Sequence, residues 1–439
     1  MSDITSGGPL DRSIKFEWRK PSELRPYVNN ARTHNRHQLR RLKKLMKQYG
    51  FTNPILIDEV DVVIGGHARL IAAMELGLET VPTIRITGLT DTEKKALRLA
   101  DNAIALDASW DIELVKVELD AICLDREFDV EFTGFTVQRV DAIRTEGTAD
   151  PQEEEIPETS AKPVTRLGDI WVLRCHRVGC GDAKDANFIR ILADGAEVAA
   201  AFLDPPYNLR IQGHVGGKGK FKHREFAEAS GEMSVAEFKT WLAIVLSVCV
   251  GVSRNGAVHF VCMDHHHIEE LAAAGSQVYG ERLNICVWRK SNAGMGGLYR
   301  SRHELVFVYR VGNQPYTNNV ELGRHGRNRT NVWDYPSVNT FRGSRRQDLA
   351  LHPTVKPVGL VADAIMDVTQ RDEVVLDAFL GSGTTLIACE RVDRRFVGLD
   401  IDPAYVDLAL RRWRTLTGEE PTRLSDGRRF SDLEAEAAQ

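Results

Sequence analysis

No apolar run in the sequence comes near the roughly 20 residues of a membrane helix, so a spanning segment is not expected. The opening residues, MSDITSGGPLDRS, lack the charged-then-apolar pattern of a secretory leader, and an intracellular protein is expected. Cysteine is sparse: seven residues, an odd number without one CxxC pair, which argues against a disulfide framework and against a zinc site. A surplus of positive charge is missing too. The formal net charge of −5 argues against a uniformly basic nucleic-acid binder. No internal repeat is present.

What is present is ordinary globular material in quantity. The 439 residues exceed a single domain of roughly 100 to 200, so at least two folding units are expected. The charge is unevenly spread. Acid gathers at Glu153, Glu154, Glu155 and Glu158 and after Ser431, whereas Arg324, Arg327, Arg329, Arg342, Arg345 and Arg346 crowd one region. Local patches, not the sum, decide whether an anion is attracted.

A boundary falls in GTADPQEEEIPETSAKP, where no core-facing stripe can be drawn; residues 147–164 are expected to be an acidic linker. Before it, PILID, VVI and VPTIRI have strand character, LIAAMELG is a helix stopped by Gly77, and another helix starts near Asp91. After it, GDIWVL and HRVGC form a hairpin. EVAAAFL, GAVHFVC, LNICVW, ELVFVYR, EVVLDAF and RRFVGLD are apolar strands alternating with helical segments such as VAEFKTWLAIVLSVC. That alternation predicts a doubly wound, mostly parallel α/β sheet.

VVLDAFLGSGTTLIACER reads strand, glycine turn, helix, which sets backbone N–H groups at the sheet's carboxyl edge, where open α/β sheets bind ligands. Asp400 follows Gly381 by 19 residues, close to the roughly 20 between a glycine turn and a ribose-binding carboxylate. The turn spells neither a P-loop nor GxGxxG. On pattern alone, a ligand-free structural turn and a nucleoside site stay equally open. Asp204-Pro205-Pro206-Tyr207 ends a strand, and its prolines fix the backbone. The Asp204 carboxylate and the Pro205 carbonyl could accept both N–H groups of an exocyclic amine, with Tyr207 stacked on the base. The bland alternative, a polar turn with a buried Tyr, loses to the combination with the glycine turn and Asp400.

These segments resemble the amino-methyltransferases of DNA modification: DPPY at 204–207 the catalytic motif, DAFLGSGTT at 377–385 the cofactor motif, and HPTVKP at 352–357 the segment beside the methionine end. The order of motifs is similar to that of the β subgroup. The resemblance implies a Rossmann-like methyltransferase sheet over 165–418, a target-recognition region about 312–351, and S-adenosyl-L-methionine as cofactor. It implies Asp204, Pro205, Pro206 and Tyr207 as catalytic, and Asp182, Lys356, Pro357, Phe379, Gly381, Ser382, Gly383, Thr384 and Asp400 as cofactor-binding, with Asp182 near the adenine and Asp400 on the ribose. The expected reaction is methylation of N6 of adenine in bases flipped out of duplex DNA. Cytosine N4 is the alternative, although that class usually opens its tetrapeptide with Ser. Transfer is expected to be direct, without a covalent enzyme intermediate.

DNA contacts are expected from Lys218, Lys220 and Lys222 in a glycine-rich loop and from Arg324, Arg327, Arg329, Arg342, Arg345 and Arg346, with a solvated charged surface as the alternative. His265, His266 and His267 invite a metal reading, but no carboxylate is spaced to complete a site, and no metal is expected. Residues 419–439 are expected to be a tail.

Residues 17–106 resemble the ParB-like N-terminal domain, a small α/β unit, with GGHAR at 65–69 in place of its glycine-arginine box. The resemblance implies a phosphate or nucleotide contact at Gly66, His67 and Arg69, within a unit of 1–146 that ends in a trailing helix. Ala68 and Ile71 depart from that pattern where basic side chains are usual. The basic run at 32–47 is expected to help position DNA, and a purely structural domain is the alternative. The competing overall reading is a ParB-like DNA-binding or nuclease protein whose methyltransferase portion is inactive. The resemblance implies a bacterial or phage-encoded cytoplasmic enzyme; a homodimer is compatible with it, and the sequence identifies no restriction partner.

Overall fold

The computed structural model describes residues 14–107, 109–125, 128–145, 157, 162–209, 228–291, 298–320, 329–336 and 355–437. Two compact units divide the chain, Met1–Arg144 and Thr145–Gln439. Among the described residues no helix is long and apolar enough to cross a membrane.

The first unit has a four-stranded sheet in the order β1-β4-β2-β3, from Ile14–Arg19 (β1), Ile55–Ile57 (β2), Val63–Gly65 (β3) and Val81–Ile86 (β4). Ile55, Ile57, Val63, Leu70, Ala73 and Val81 form its core. The basic run becomes helix α1, Arg36–Tyr49, with Asn35 capping the Gln38 N–H at 2.8 Å. Several of its cations turn to this same unit: Lys43 pairs with Glu75, Lys44 with Asp129 and Glu131, and Arg41 donates to the Gly134 carbonyl. The trailing segment is more than one helix. After α2 (His67–Glu75) and α3 (Asp91–Asp107), α4 (Ile112–Cys123) and α5 (Val137–Thr145) enclose a second small core of Leu119, Cys123, Val130, Val140 and Ile143.

The second unit carries ten strands in the order β11-β9-β10-β8-β7-β12-β13-β6-β5-β14. They are β5 Ile170–Leu173, β6 His176–Cys180, β7 Val198–Leu203, β8 Ser253–Met263, β9 Glu281–Arg289, β10 His303–Arg310, β11 Val332–Asp334, β12 Val374–Asp377, β13 Arg395–Asp400 and β14 Thr422–Arg423. The β8-β7-β12-β13-β6 centre is parallel throughout. β7 is buried along its whole length, as its uninterrupted apolar sequence demands. β5 and β6 form the expected hairpin. The exception to the parallel centre is β10, which runs antiparallel to both β8 and β9. Helix α6 (Ala186–Ala193) lies between β6 and β7. Helix α7, Val235–Gly251, which connects β7 to β8, opens with a Ser234–Glu237 capping box. Helices α8 (Ile268–Val278), α9 (Val358–Val368), α10 (Thr384–Arg391) and α11 (Pro403–Thr417) complete the layers.

The expected tail is packed structure. β14 pairs with β5, and Phe430, the first residue of α12 (Phe430–Ala437), is fully buried with its ring centroid 5.2 Å from that of Trp171. Its acidic residues find cations: Glu434 pairs with Arg411 and Arg414, Glu436 with Arg428. The acidic stretch at 147–164 lies almost wholly outside the described residues.

Candidate active site

Strand direction gathers the site. The chain leaves β7 toward β8 on one side and β12 toward β13 on the other, so the sheet order reverses between β7 and β12, and their carboxyl ends are the position at which open α/β sheets bind ligands. Asp204 follows β7 there, the glycine turn follows β12, and Asp400 closes β13. Because β10 is antiparallel, its first residues lie at the same edge: Leu305 pairs with Met263 and Glu304 with Trp288.

Asp204 sits in a charge network. Lys356 Nζ donates to Asp204 Oδ2 at 2.6 Å and lies 2.9 Å from Glu304 Oε2, while Lys290 pairs with Glu304 Oε1. The Tyr207 hydroxyl donates to Asp204 Oδ1 at 2.7 Å. The Lys356 and Lys290 ammoniums lie 5.8 and 4.8 Å from the ring centroid of buried Trp288. Burial works against the Lys356 ammonium, but Asp204 and Glu304 outweigh it and raise its pKa. Burial would likewise raise Glu304, yet Lys356 and Lys290 hold it below the usual carboxylate range. Burial, with Asp204 beside it, pushes the Tyr207 phenol well above its ordinary value, so its hydroxyl stays a donor. Burial pushes the Cys262 thiol well above its ordinary value, with Lys356 opposing and Asp204 and Glu304 adding to the rise.

The glycine turn is built for close approach. Gly381 and Gly383 have φ of +49° and +80°, and a Cβ on Gly383 would come 2.8 Å from that of Ala409. Gly381 N–H donates to Asp400 Oδ2 at 3.0 Å and Asp402 N–H to Oδ1 at 2.9 Å. Burial pushes the Asp400 carboxyl up to about 6. Asp377 braces the turn from below, accepting from the Thr385 hydroxyl at 2.6 Å and from Phe379 N–H at 2.9 Å; burial pushes it up to about 7. Buried Arg412 donates to the Ser382 carbonyl at 3.0 Å and to the Thr384 hydroxyl at 3.3 Å.

The expected residues converge on this edge, with exceptions. Gly181 N–H donates to the Asp400 carbonyl at 2.9 Å, which brings Asp182 beside β13, and Phe379 lies 5.8 Å from Trp241 between ring centroids. Pro357 caps α9, and Lys356 contacts Asp204, Tyr207 and Glu304. Lys218, Lys220, Lys222, Arg324, Arg327, Arg342, Arg345 and Arg346 lie outside the described residues. Arg329 corrects the expectation of a free DNA contact: its guanidinium pairs with Asp363 at 2.9 Å and Asp367 at 2.8 Å on α9, and Tyr335 accepts from it at 3.0 Å. The histidines correct another. Where β8 ends, Asp264 does join them, its donor atoms lying within 4.8 Å of those of His265 and His266, although its carboxylate also pairs with His267.

In the first unit, Gly66 has a φ of +96° at the start of α2, and the Tyr27 N–H donates to His67 Nε2 at 3.3 Å. The Arg69 guanidinium folds back over Gly66, and burial lowers its pKa. A separate cavity of about 420 Å³ is lined by residues including Arg25, Tyr27, Lys94 and Arg98.

Sequence reasoning missed Glu304, Lys290, Asp377 and Arg412. Asp377 stood in the quoted DAFLGSGTT and could have been found; nothing in the sequence pairs Glu304 with Lys356.

A family model described as DNA methylase, of the N6/N4 type, matches residues 198–411. Residues 198–411 carry a DNA methylase domain of this N6/N4 type. Residues 17–103 of the chain match the ParB N-terminal domain, and 113–167 a ParB-methyltransferase HTH domain, which spans α4 and α5. It is 28% identical over 232 residues to the type II methyltransferase M2.MboI of Moraxella bovis, covering 49% of this chain and 80% of that protein. It is 44% identical over 86 residues to the ParB-like nuclease domain-containing protein YnaK of Escherichia coli (strain K12), covering 20% of this chain and 99% of the relative. Among solved structures, the cytosine-N4-specific PvuII DNA methyltransferase is 15% identical over 60% of this chain and 98% of its own, with a TM-score of 0.43. The complex of M1.HpyAVI with its methyl donor is 18% identical over 54% and 98%, with a TM-score of 0.37.

The methyl donor of the family is S-adenosylmethionine. The site fits such a group: the part-exposed glycine turn, with φ of +49° at Gly381, follows β12, and the Asp400 carboxylate stands at the end of the next strand, oriented by the Gly381 and Asp402 N–H groups.

Proposed function

We propose that the methylase transfers a methyl group to N6 of adenine in duplex DNA, with the target base extruded toward the carboxyl ends of β7 and β12. The observation that carries this is the setting of Asp204, at the switch point of the sheet and one strand away from the glycine turn. The bound donor supplies a sulfonium methyl, an electrophile. Asp204 and the Pro205 carbonyl orient the amine by accepting its N–H groups, and Tyr207 stacks on the base. As the N–C bond forms and the S–C bond breaks, the amine gives up one proton, which Asp204 is placed to take. Asp400, its carboxylate oriented by the Gly381 and Asp402 N–H groups, would hold the ribose hydroxyls.

Asp at the head of the tetrapeptide favours adenine over cytosine, whose enzymes usually open it with Ser. The ParB-like unit is assigned a supporting role in positioning DNA. Methyl-labelled donor, unmethylated duplex DNA and nucleoside mass spectrometry test the reading, with Asp204→Ala as control. Label on N6-methyladenine that vanishes in the variant supports it. Label on N4-methylcytosine keeps the chemistry and changes the base, and no label on any base overturns it.

A further inference from the structure

The two oxygens of Asp204 are held very differently. Oδ2 accepts from an ammonium that is only 5% exposed and has a second anchor on Glu304 Oε2. Withdrawing it would strip buried Glu304 and half-buried Asp204 of a shared counter-charge, which such sites resist. Oδ1 is covered by the neutral Tyr207 hydroxyl, which turns about one C–O bond and has another acceptor, Glu304 Oε2, at 3.5 Å. Glu304 touches both of these groups, and Lys290 fixes its other oxygen. Across the four charged side chains the formal charge cancels, so the cluster is neutral before any base arrives.

We infer that Glu304 is a positioning residue for methyl transfer: it locks Lys356 on Asp204 Oδ2 and receives the Tyr207 hydroxyl when the target amine takes Oδ1. The inference rests on the reading of Asp204 as acceptor of that amine. Only one Asp204 oxygen is then offered to the base, and its direction is set by a residue 100 positions further along the chain. Tyr207 moves from the carboxylate to Glu304 without leaving a buried hydroxyl unpaired.

The test is steady-state methylation by the full-length protein on unmethylated mixed-sequence duplex DNA, comparing Glu304→Gln with the double variant Glu304→Gln/Lys290→Gln. The double variant removes one charge of each sign, so it keeps the cluster neutral and guards against a simple loss of folding. Both are expected to lower kcat by about tenfold or more, with KM for the methyl donor changed less than about twofold, the pattern of an interaction realised in the transition state. Thermal melting of the double variant should stay near that of the parent. A kcat equal to the parent's in the double variant, or an effect confined to KM, would overturn the inference while leaving Asp204→Ala inactive. Methylation that survives Asp204→Ala would instead overturn the reading of Asp204, and with it the role of Glu304.

Discussion

Lys356 donates to Asp204 at 2.6 Å across 152 residues of sequence. The ammonium is 5% exposed and shared with Glu304, so it acts as the counter-charge of a buried Glu304 and a half-buried Asp204.

Replacing it should therefore be costly. Lys356→Met leaves Lys290 as the only cation of the cluster facing two carboxylates, and is expected to destabilise the fold by about 3–5 kcal/mol, as removal of one partner from a buried ion pair does. Lys356→Arg keeps the charge and should lose less. Thermal melts of the two variants decide; equal melting temperatures for Met and the parent would refute the role.

Methyl-donor binding should depend on pH through Asp400, which burial holds at about 6. Above that the carboxylate is charged and accepts hydroxyl donors at full strength; below it the added proton removes an acceptor. Affinity is expected to fall as pH drops from 8 to 5, and Asp400→Asn should bind weakly at every pH with a flatter profile. Calorimetric titration at several pH values measures both.

Asp377 gives a stability signature of the opposite sense. Its pKa rises from about 3.9 in the unfolded chain to about 7 in the fold. Between those values the folded state carries the extra proton, so this contribution is fully present below the unfolded pKa and lost as pH rises through about 7. In Asp377→Asn the decline over that window should be shallower than in the parent. Urea unfolding at pH 5 and pH 7.5 provides the comparison, and parallel declines would count against it.

Gly383→Ala combines a φ of +80° with a Cβ 2.8 Å from Ala409 Cβ and 3.2 Å from its Cα. A loss of about 1–3 kcal/mol is expected from overpacking and backbone strain. Donor affinity should weaken as the turn shifts. A variant that melts and binds like the parent would show that the turn tolerates a side chain.

Phe430→Ala tests whether the C-terminal segment belongs to the core. Emptying a fully buried aromatic site should cost about 3–5 kcal/mol, whereas a mere tail would tolerate the change; chemical denaturation separates the two.

Much of the fold was legible because it rests on local pattern. Uninterrupted apolar strands such as VAAAFL specify burial on both faces, and glycines at 381 and 383 specify a turn that side chains resist. The helical end of the first unit was less legible: α4 and α5 are short, and their core of Leu119, Cys123, Val130, Val140 and Ile143 comes from separated stretches. Phe430 illustrates the same limit, since one aromatic among acidic residues reads as a tail until Trp171 is found beside it.

The sequence by itself determined the parallel α/β sheet, the tetrapeptide at 204–207, the glycine turn and the carboxylate at 400, because each is written in contiguous residues whose backbone preferences are local. Only the tertiary structure decided that Glu304 and Lys290 share a charge network with Lys356 and Asp204, and that Arg329 faces Asp363 and Asp367. Those outcomes depend on the direction of β10 and on the docking of α9. Pairings between distant segments are set by the packing of the whole sheet, which no short stretch of sequence records.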